Sequence, residues 1–429
     1  MSLELQRYGD FSLSIHNKTA GQRVPLLGAI EVSRRCPLNC SHCYNNLPMN
    51  DLETARQELT YEEHCRILDE LADMGLMWLL YTGGEIFARR DFLDIYKYAK
   101  RKGIFVTLFT NGNLVTEKIA DTLVDFRPFA IEITLYGRTR ETYEALTRVP
   151  GSYDRCLRGI RILKERGLPL ALKTVAVTVN KHEIWDMKRF VQEELGLSFK
   201  LDPMITPRID CSSSPLGVRL TPEEIVAIDL GDPDREKEWA RFSSAFTGPA
   251  HPPGKEDEVY HCGGGINSFA IDPLGKMTIC VLSHMDSYDL RKGSVREGWD
   301  HFLGKVRQKR AKRVTKCTVC QIKAMCGMCP ATAELETGDP ELPVDFLCHT
   351  AHLRALTMGL SVPEHGECEY CQGGSAFQLV REEANRLASG LPAPSKPAPV
   401  FLPVLSPSTS TGSTLPAASG CSSGGCGSF

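Results

Sequence analysis

Six short apolar runs, separated by amphipathic stretches, constrain the fold of this chain more than any other feature of its sequence. The runs are residues 26–32, 76–82, 104–110, 129–135, 170–177 and 197–204. Strands buried on both faces of a parallel sheet have this composition. Four runs follow closely on a glycine that could end a preceding helix, namely Gly75, Gly103, Gly167 and Gly196. The pattern predicts an α/β fold of six βα units, with a parallel sheet curled into a partial (β/α)6 TIM-like barrel. Whether the sheet closes is left open.

Three motifs follow the first three runs. A cysteine group lies at 36–43, Thr-Gly-Gly-Glu at 82–85 and Thr-Asn-Gly-Asn at 110–113. Ligands of parallel α/β folds bind where the carboxyl ends of the strands meet the βα loops. The sequence therefore predicts that these three motifs form one site at one rim of the sheet.

The chain has 17 cysteines among its 429 residues, and the reducing cytoplasm is the compartment we expect. No apolar run is long enough to span a bilayer, and the first residues lack the pattern of a signal peptide. A net charge of −3 favours neither nucleic acid nor membrane as a partner. Closely spaced thiols in a reducing compartment are typical of metal or iron–sulfur ligands.

Cys36, Cys40 and Cys43 have the spacing C-x3-C-x2-C in a loop after the first run. Three thiolates on a short loop can bind three irons of a [4Fe–4S] cluster and leave the fourth iron open to a ligand. A zinc site completed by His42 or by a remote residue is the alternative.

Together with Gly83, Gly84 and Glu85 after the second run, this cysteine loop resembles the radical S-adenosylmethionine (radical SAM) enzymes. The resemblance implies that the open iron chelates SAM and that the Gly-Gly-Glu motif contacts the SAM amine, with the Glu85 carboxylate as the acceptor. The sequence departs from the family pattern at Ile86, where proline is usual, and at His42, where an aromatic residue is frequent.

The same resemblance implies three further SAM contacts. Asn111 lies in a family-like Thr-Asn-Gly element, Thr134 ends the fourth run, and Lys173 in the fifth run could pair with the SAM carboxylate. Simpler interpretations stay open, because Asn-Gly is a common turn, threonine favours strands and a lysine can be a solvated strand end.

A second cysteine group resembles the SPASM extension of radical SAM enzymes, although one of its spacings is shorter by a residue. By that resemblance one auxiliary [4Fe–4S] cluster has the ligands Cys317, Cys320, Cys326 and Cys348, and a second has Cys262, Cys280 and Cys329. The missing eighth ligand could be Cys211, His261, Cys368, Cys371 or an open iron. Two structural zinc sites are the alternative, because spacing does not distinguish zinc from iron–sulfur.

The remaining cysteines have less specific surroundings. Cys368 and Cys371 form a C-x2-C pair that fits a ligand pair, a redox dithiol or chance. Cys65 and Cys156 lie in predicted helices and are expected in the core. Cys421 and Cys426 lie in a tail rich in Pro, Ser and Gly, which is either a flexible extension or a substrate-like peptide.

The predicted organisation has six parts. They are an N-terminal extension (1–26), the barrel (27–210), a connector with one short helix near 221–229 (211–258), a SPASM-type domain with little regular structure (259–372), a short helix (373–391) and a disordered tail (392–429).

The resemblance implies an oxidoreductase that cleaves SAM to a 5′-deoxyadenosyl radical and abstracts hydrogen from a peptide or protein. A flavodoxin or ferredoxin would supply the electron. Because only 35 residues precede Cys36, a separate leader-recognition protein would present a ribosomal peptide. The alternatives are an enzyme acting on a tetrapyrrole or other small molecule, and a zinc-stabilised binding protein without catalysis.

Overall fold

The computed structural model describes residues 7–246 and 257–390. Its strands, in chain order, are β1 (Leu27–Ser33), β2 (Arg35–Cys36), β3 (Leu47–Pro48), β4 (Trp78–Gly83), β5 (Phe105–Thr110), β6 (Ala130–Thr134), β7 (Leu170–Val175), β8 (Ser198–Asp202), β9 (Ser268–Ile271), β10 (Lys276–Thr278) and β11 (Tyr288–Asp289). All six predicted runs form strands. The main sheet has the order β11-β10-β9-β1-β4-β5-β6-β7-β8. Its six predicted strands pair in parallel, and β8 and β11 are its two edges within the described residues, so the barrel is open.

The helices surround this sheet and continue into the C-terminal part. They are α1 (Tyr8–Lys18), α2 (Leu52–Gln57), α3 (Tyr61–Asp73), α4 (Phe92–Arg101), α5 (Glu117–Asp125), α6 (Arg140–Thr147), α7 (Ser152–Glu165), α8 (Ile184–Arg189), α9 (Pro222–Leu230), α10 (Pro233–Phe246), α11 (Val295–Glu297), α12 (Gly304–Arg307), α13 (Pro330–Thr337), α14 (Asp345–Thr357) and α15 (Phe377–Gly390). Single 3-10 turns lie at Ile86–Ala88, Lys181–Glu183, Ser214–Val218 and Lys323–Met325, and π-helical turns at Phe190–Glu194 and Gly298–Leu303. No helix of the described chain is long and apolar enough to cross a membrane.

Local sequence signals mark the helix ends of the βα units. The capping box of Thr60 and Glu63 opens α3, and the four glycines before the strands all have positive φ, between 60° and 96°. Alternate strand residues such as Ile30 and Ile131 pack against the helices in the main core. Successive strand residues point to opposite faces, so the polar side chains between them face the inside of the barrel.

The C-terminal part has more regular structure than the sequence predicts. The connector contains α9, as expected, and also the unexpected helix α10. Strand β9 pairs in parallel with β1, so the cysteine-rich part extends the barrel sheet. The sequence of helix α14 has no apolar stripe with a helical period, because eight of its 13 residues are buried and they lie around its whole circumference.

Hydrogen bonds of a buried carboxylate connect the cysteine-rich part to the barrel. Asp229, on α9, is fully buried and accepts hydrogen bonds from Arg354 of α14 at 2.8 Å and from Arg235 of α10 at 2.6 Å. Arg235 also donates to the carbonyl oxygen of Leu201 in β8 at 2.8 Å. Movement of α14 would separate Arg354 from Asp229 and leave buried charges without a partner, which is costly. The network therefore holds α14 in a fixed position relative to β8.

Candidate functional site

The first cysteine loop is held at both of its ends. Strands β2 and β3 pair in parallel, with Cys36 opposite Pro48, and so close the loop of residues 37–46. Backbone N–H groups of Asn39 and Ser41 donate to carbonyl oxygens at the end of α6, at 3.0 and 3.1 Å. Arg208, after β8, donates to the carbonyl oxygen of Cys43 at 3.2 Å. The loop is therefore anchored by elements that follow the fourth and sixth barrel strands.

Gly83 and Gly84 are needed because two backbones meet closely at the end of β4. A Cβ atom on Gly84 would lie 2.3 Å from the carbonyl oxygen of Arg34, and one on Gly83 would lie 2.2 Å from that of Ser33. In this close approach the N–H of Gly84 donates to Ser33 O at 2.8 Å. The two glycines thus bring the segment leading into Cys36 against the end of the neighbouring strand.

The carboxylate of Glu85 joins two of the three predicted motifs, and its hydrogen bonds go to the protein. It is buried, and it accepts from Thr110 Oγ1 at 2.7 Å, from the N–H of Asn111 at 2.8 Å and from the N–H of Phe87 at 3.2 Å. Burial raises the pKa of this carboxyl. A carboxylate has about four acceptor sites, so three protein donors leave room for one more, and the contact of Glu85 with the SAM amine stays a prediction.

Asn111 connects the third motif to the first. Its side-chain amide donates to Cys36 Sγ at 3.4 Å, and its Oδ1 accepts from the N–H of Asn113 at 2.9 Å. The structure thus brings the cysteine loop, the Gly-Gly-Glu motif and the Thr-Asn-Gly element to one rim of the sheet. The contact of Asn111 is with a thiol.

The three thiols have the chemistry of iron–sulfur ligands. Burial raises the pKa of all three; the nearby carboxylate of Glu85 adds to the effect at Cys36, and Arg208 opposes it at Cys43. Only one group of three Cys, His, Asp or Glu side chains in the described residues has its ligand atoms within 4.8 Å of one another, and it lies elsewhere. The sulfurs of Cys36, Cys40 and Cys43 are therefore not all within 4.8 Å of one another, and three thiols on one loop fit the ligands of a metal centre, either an iron–sulfur cluster or zinc.

A buried polar group behind the loop was missed by the sequence analysis. Glu31, in β1, is buried and accepts from Asn45 Nδ2 at 2.5 Å and from the Tyr44 hydroxyl at 3.1 Å, and burial raises its pKa. Arg34 lies 3.5 Å from its other oxygen. His42 lies nearby in the loop, with its ring 5.2 Å from that of Tyr136, and burial lowers its pKa to about 4.

Lys173 and Thr134 lie side by side on the inner face of the sheet, where β6 and β7 are in register. The Lys173 ammonium lies 3.4 Å from Glu132 and over the ring of Phe109. Burial lowers its pKa to about 8. Glu132 also pairs with Lys200, so two lysines share one carboxylate that the sequence analysis did not select.

The auxiliary cysteines lie in two places, and their division between two clusters stays a prediction. Four of them line one cavity with Lys316, Lys323 and His352; these are Cys317, Cys320, Cys326 and Cys348. In the other set, burial and the thiols of Cys329 and Cys262 raise the pKa of Cys280 to about 12.

The candidates for an eighth ligand lie in different places. Cys368 is buried against Cys348, beside the first of the two sets, and Cys371 donates to its carbonyl oxygen at 3.3 Å. Cys211 and His261 are exposed. Of the other cysteines, Cys156 is fully buried and Cys65 partly buried. Cys421, Cys426 and the rest of the predicted tail lie outside the described residues.

Comparison with known proteins agrees with this geometry. A sequence model of the radical SAM superfamily matches residues 30–191, from β1 to the turn after α8. Residues 30–191 are therefore a radical SAM domain. Membership implies a [4Fe–4S] cluster and SAM as cofactors, and the thiols of the cysteine loop fit that cluster. The radical SAM chain is therefore an enzyme, and the interpretation as a zinc-stabilised binding protein is not retained.

Individual relatives are distant. The chain is 26% identical over 336 residues to an AdoMet-dependent heme synthase of Methanosarcina barkeri, covering 73% of this chain and 94% of the synthase. It is 28% identical over 164 residues to a PqqA peptide cyclase of Bradyrhizobium diazoefficiens, which spans 38% of this chain and 42% of the cyclase. Streptococcus suis SuiB bound to its precursor peptide SuiA has a similar fold, with a TM-score of 0.56, 17% identity and 79% of each chain covered.

Proposed function

We propose that this radical SAM enzyme modifies a peptide or protein at the inner face of its barrel. Cys36, Cys40 and Cys43 would hold the cluster that binds SAM, and the bound pair would supply a 5′-deoxyadenosyl radical for hydrogen abstraction. The observation that carries this proposal is the convergence of three motifs through Glu85, which links Asn111 to the strand end beside the cysteine loop. Such rigid positioning is the protein's contribution to cofactor chemistry.

The surrounding residues have separate tasks in this proposal. Gly83 and Gly84 let the cysteine segment approach β4, and their backbone would contact SAM. Asn111 stabilises the Cys36 thiolate by a hydrogen bond, which tunes the cluster potential. Thr134 and Lys173 would contact SAM or substrate from the inner face of β6 and β7.

The C-terminal cysteines would hold two auxiliary [4Fe–4S] clusters in a SPASM-type domain. Cys317, Cys320, Cys326 and Cys348 line one cavity, with Lys316 and Lys323 beside them to offset thiolate charge. Cys262, Cys280 and Cys329 lie near one another at the second position. A flavodoxin or ferredoxin would deliver electrons, and a separate recognition protein would present a ribosomal peptide.

A peptide substrate is supported by two relatives whose names state peptide chemistry, the PqqA peptide cyclase and the peptide-bound SuiB. A tetrapyrrole is the second candidate, because the alignment with a heme synthase covers nearly all of that protein.

Stimulated SAM cleavage tests the two candidates. Oxygen-free enzyme would be given SAM, dithionite and one of two probes: a pool of short cysteine-containing peptides, including one with the sequence of residues 415–429, or a set of iron porphyrins. We expect 5′-deoxyadenosine to rise above the background with peptides only. A rise with porphyrins only would reject the peptide proposal. The Cys40→Ala variant should make no 5′-deoxyadenosine with either probe, and continued formation would contradict the role given to the cysteine loop.

A further inference from the structure

The thiol of Cys368 lies close enough to the thiol of Cys348 for the two to compete for the same metal ion. The two Sγ atoms are 4.0 Å apart, and both side chains are buried. His352, one turn after Cys348 on α14, lies 3.4 Å from Cys368 Sγ through its Nε2. These three side chains are the one group of potential metal ligands in the described chain whose ligand atoms all lie within 4.8 Å.

This distance decides how the two thiols can bind metal. Two thiolates on one tetrahedral metal ion with bonds of about 2.3 Å are about 3.8 Å apart, close to the observed separation. They are therefore close enough to reach the same metal ion. Each iron of a [4Fe–4S] cluster has three sulfides and one place for a protein ligand, so the two cysteines cannot bind one iron together.

The segment carrying Cys368 is firmly attached to α14. The Tyr370 hydroxyl donates to both carboxylate oxygens of Asp345, at 3.0 and 2.9 Å, and its ring stacks on His349 at 5.0 Å. Lys316 forms an ion pair with Glu369 on the other side. These contacts hold Cys368 beside Cys348, so their proximity does not depend on a single loop conformation.

His352 provides a partner for a thiol that is not bound to metal. Its Nδ1 donates to the carbonyl oxygen of Cys348 at 2.7 Å, so its Nε2 has the free lone pair. The S–H of Cys368 can donate to that atom.

We propose that Cys348 and Cys368 are interchangeable ligands of one iron in the auxiliary cluster that Cys317, Cys320 and Cys326 complete. The inference rests on the auxiliary cluster proposed above. In the exchange an iron–sulfur bond to Cys348 breaks, one to Cys368 forms, and the proton of the Cys368 thiol passes to the released Cys348 thiolate. No electron is gained or lost.

The test uses the full chain with Cys36, Cys40 and Cys43 changed to alanine, so that all cluster iron belongs to the auxiliary sites. Cys348→Ala, Cys368→Ala and the double variant are then compared by iron and sulfide content and by EPR of the dithionite-reduced protein. Cys65→Ala is the control, because it removes a thiol on α3 that belongs to neither set of auxiliary cysteines. Circular dichroism establishes that each variant is folded.

We expect each single variant and the control to keep the parent's iron and sulfide, with a changed EPR signal in Cys348→Ala. The double variant leaves one iron without a protein ligand, so we expect it to lose that iron and to give the EPR signal of a three-iron cluster. Loss of the cluster, or its conversion to a three-iron form, in Cys348→Ala alone would overturn the exchange, as would loss in Cys368→Ala alone. An unchanged double variant would also overturn it. A parent without iron and sulfide would instead reject the auxiliary clusters themselves, and this inference with them.

Discussion

Replacing Glu85 by glutamine separates a structural role from a direct role in SAM binding. The carboxylate accepts two hydrogen bonds on one oxygen, from Thr110 and Phe87, and one on the other, from the N–H of Asn111. A glutamine of the same shape can keep the first pair with its carbonyl oxygen. Its NH2 group then faces the Asn111 N–H, and two donors cannot satisfy each other.

The number of buried donors left without an acceptor determines the expected loss in the free energy of unfolding. One buried donor left without a partner costs about 1–3 kcal/mol, and the weaker remaining hydrogen bonds add to this. Removal of a buried charge offsets part of the loss, since burial disfavours the charged carboxylate. We therefore expect Glu85→Gln to lower the free energy of unfolding by about 1–3 kcal/mol, and Glu85→Ala, which strands all three donors, by about 3–6 kcal/mol.

Two measurements on oxygen-free protein distinguish the roles. Urea unfolding gives the stability, and EPR of the reduced cluster without SAM reports on Cys36, because movement of Asn111 changes its contact with the sulfur. A structural role predicts that both change in Glu85→Gln before SAM is added. If stability and the SAM-free spectrum equal those of the wild type while only the affinity for SAM falls, the carboxylate acts by contact with the cofactor and the structural role is refuted.

Three further substitutions test the support of the site. Gly84→Ala would place a Cβ atom 2.3 Å from a backbone oxygen and should lower the iron content of the first cluster. Gly217→Ala is the control, because a Cβ atom there would have no neighbour within 4 Å and the iron content should not change. Equal iron content in both variants would contradict the role given to the close backbone approach. Arg208→Ala removes the donor to the carbonyl of the last loop cysteine and should speed iron loss to a chelator, unlike Arg158→Ala at an exposed position of α7. Burial lowers the pKa of Lys173 from 10.5 to about 8. Between these two pH values the unfolded chain binds more protons than the folded protein, so the free energy of unfolding rises with pH. The burial of the charged lysine, which lowers the free energy of unfolding by about 3 kcal/mol below pH 8, therefore ceases to do so as the pH approaches 10.5. Urea unfolding of the wild type and of Lys173→Met at pH 7.5 and 9.5 measures this effect. The free energy of unfolding of the wild type, minus that of the variant, should be larger at pH 9.5, and an equal difference at both pH values would contradict burial of the ammonium group.

The barrel could be predicted because its signals are local. Each apolar run, each helix-ending glycine and the capping box of α3 involve residues close together in sequence, and all gave the observed elements. The convergence of the three motifs followed from the rule that parallel strands end at one rim. The hydrogen bonds of each side chain there could not be predicted, because two of the three donors to Glu85 lie 25 and 26 residues away.

The C-terminal part was harder to predict for a different reason. Helix α14 is buried around its whole circumference, so it has no apolar stripe, and β9 is a four-residue strand whose partner β1 lies more than 200 residues earlier. The composition of the connector concealed α10, although its proline at the first turn and its early acidic residues favour a helix start. The contact between Cys348 and Cys368 depends on the path of the segment after α14, which no spacing rule describes.

Charged residues within apolar runs were a signal that could have been used further. Glu31, Glu132 and Lys173 each interrupt a run that predicts a buried strand. Glu31 and Glu132 lie between neighbours that pack against the helices, and Lys173 follows Leu172 of the same core. Since strand residues alternate between faces, a charge at such a position must point away from the helices and into the barrel. Glu31 supports the cysteine loop, and Glu132 binds Lys173 and Lys200 across the inner face. A charge in an otherwise apolar barrel strand thus indicates which strand residues face the inside of the barrel, before any family resemblance is considered.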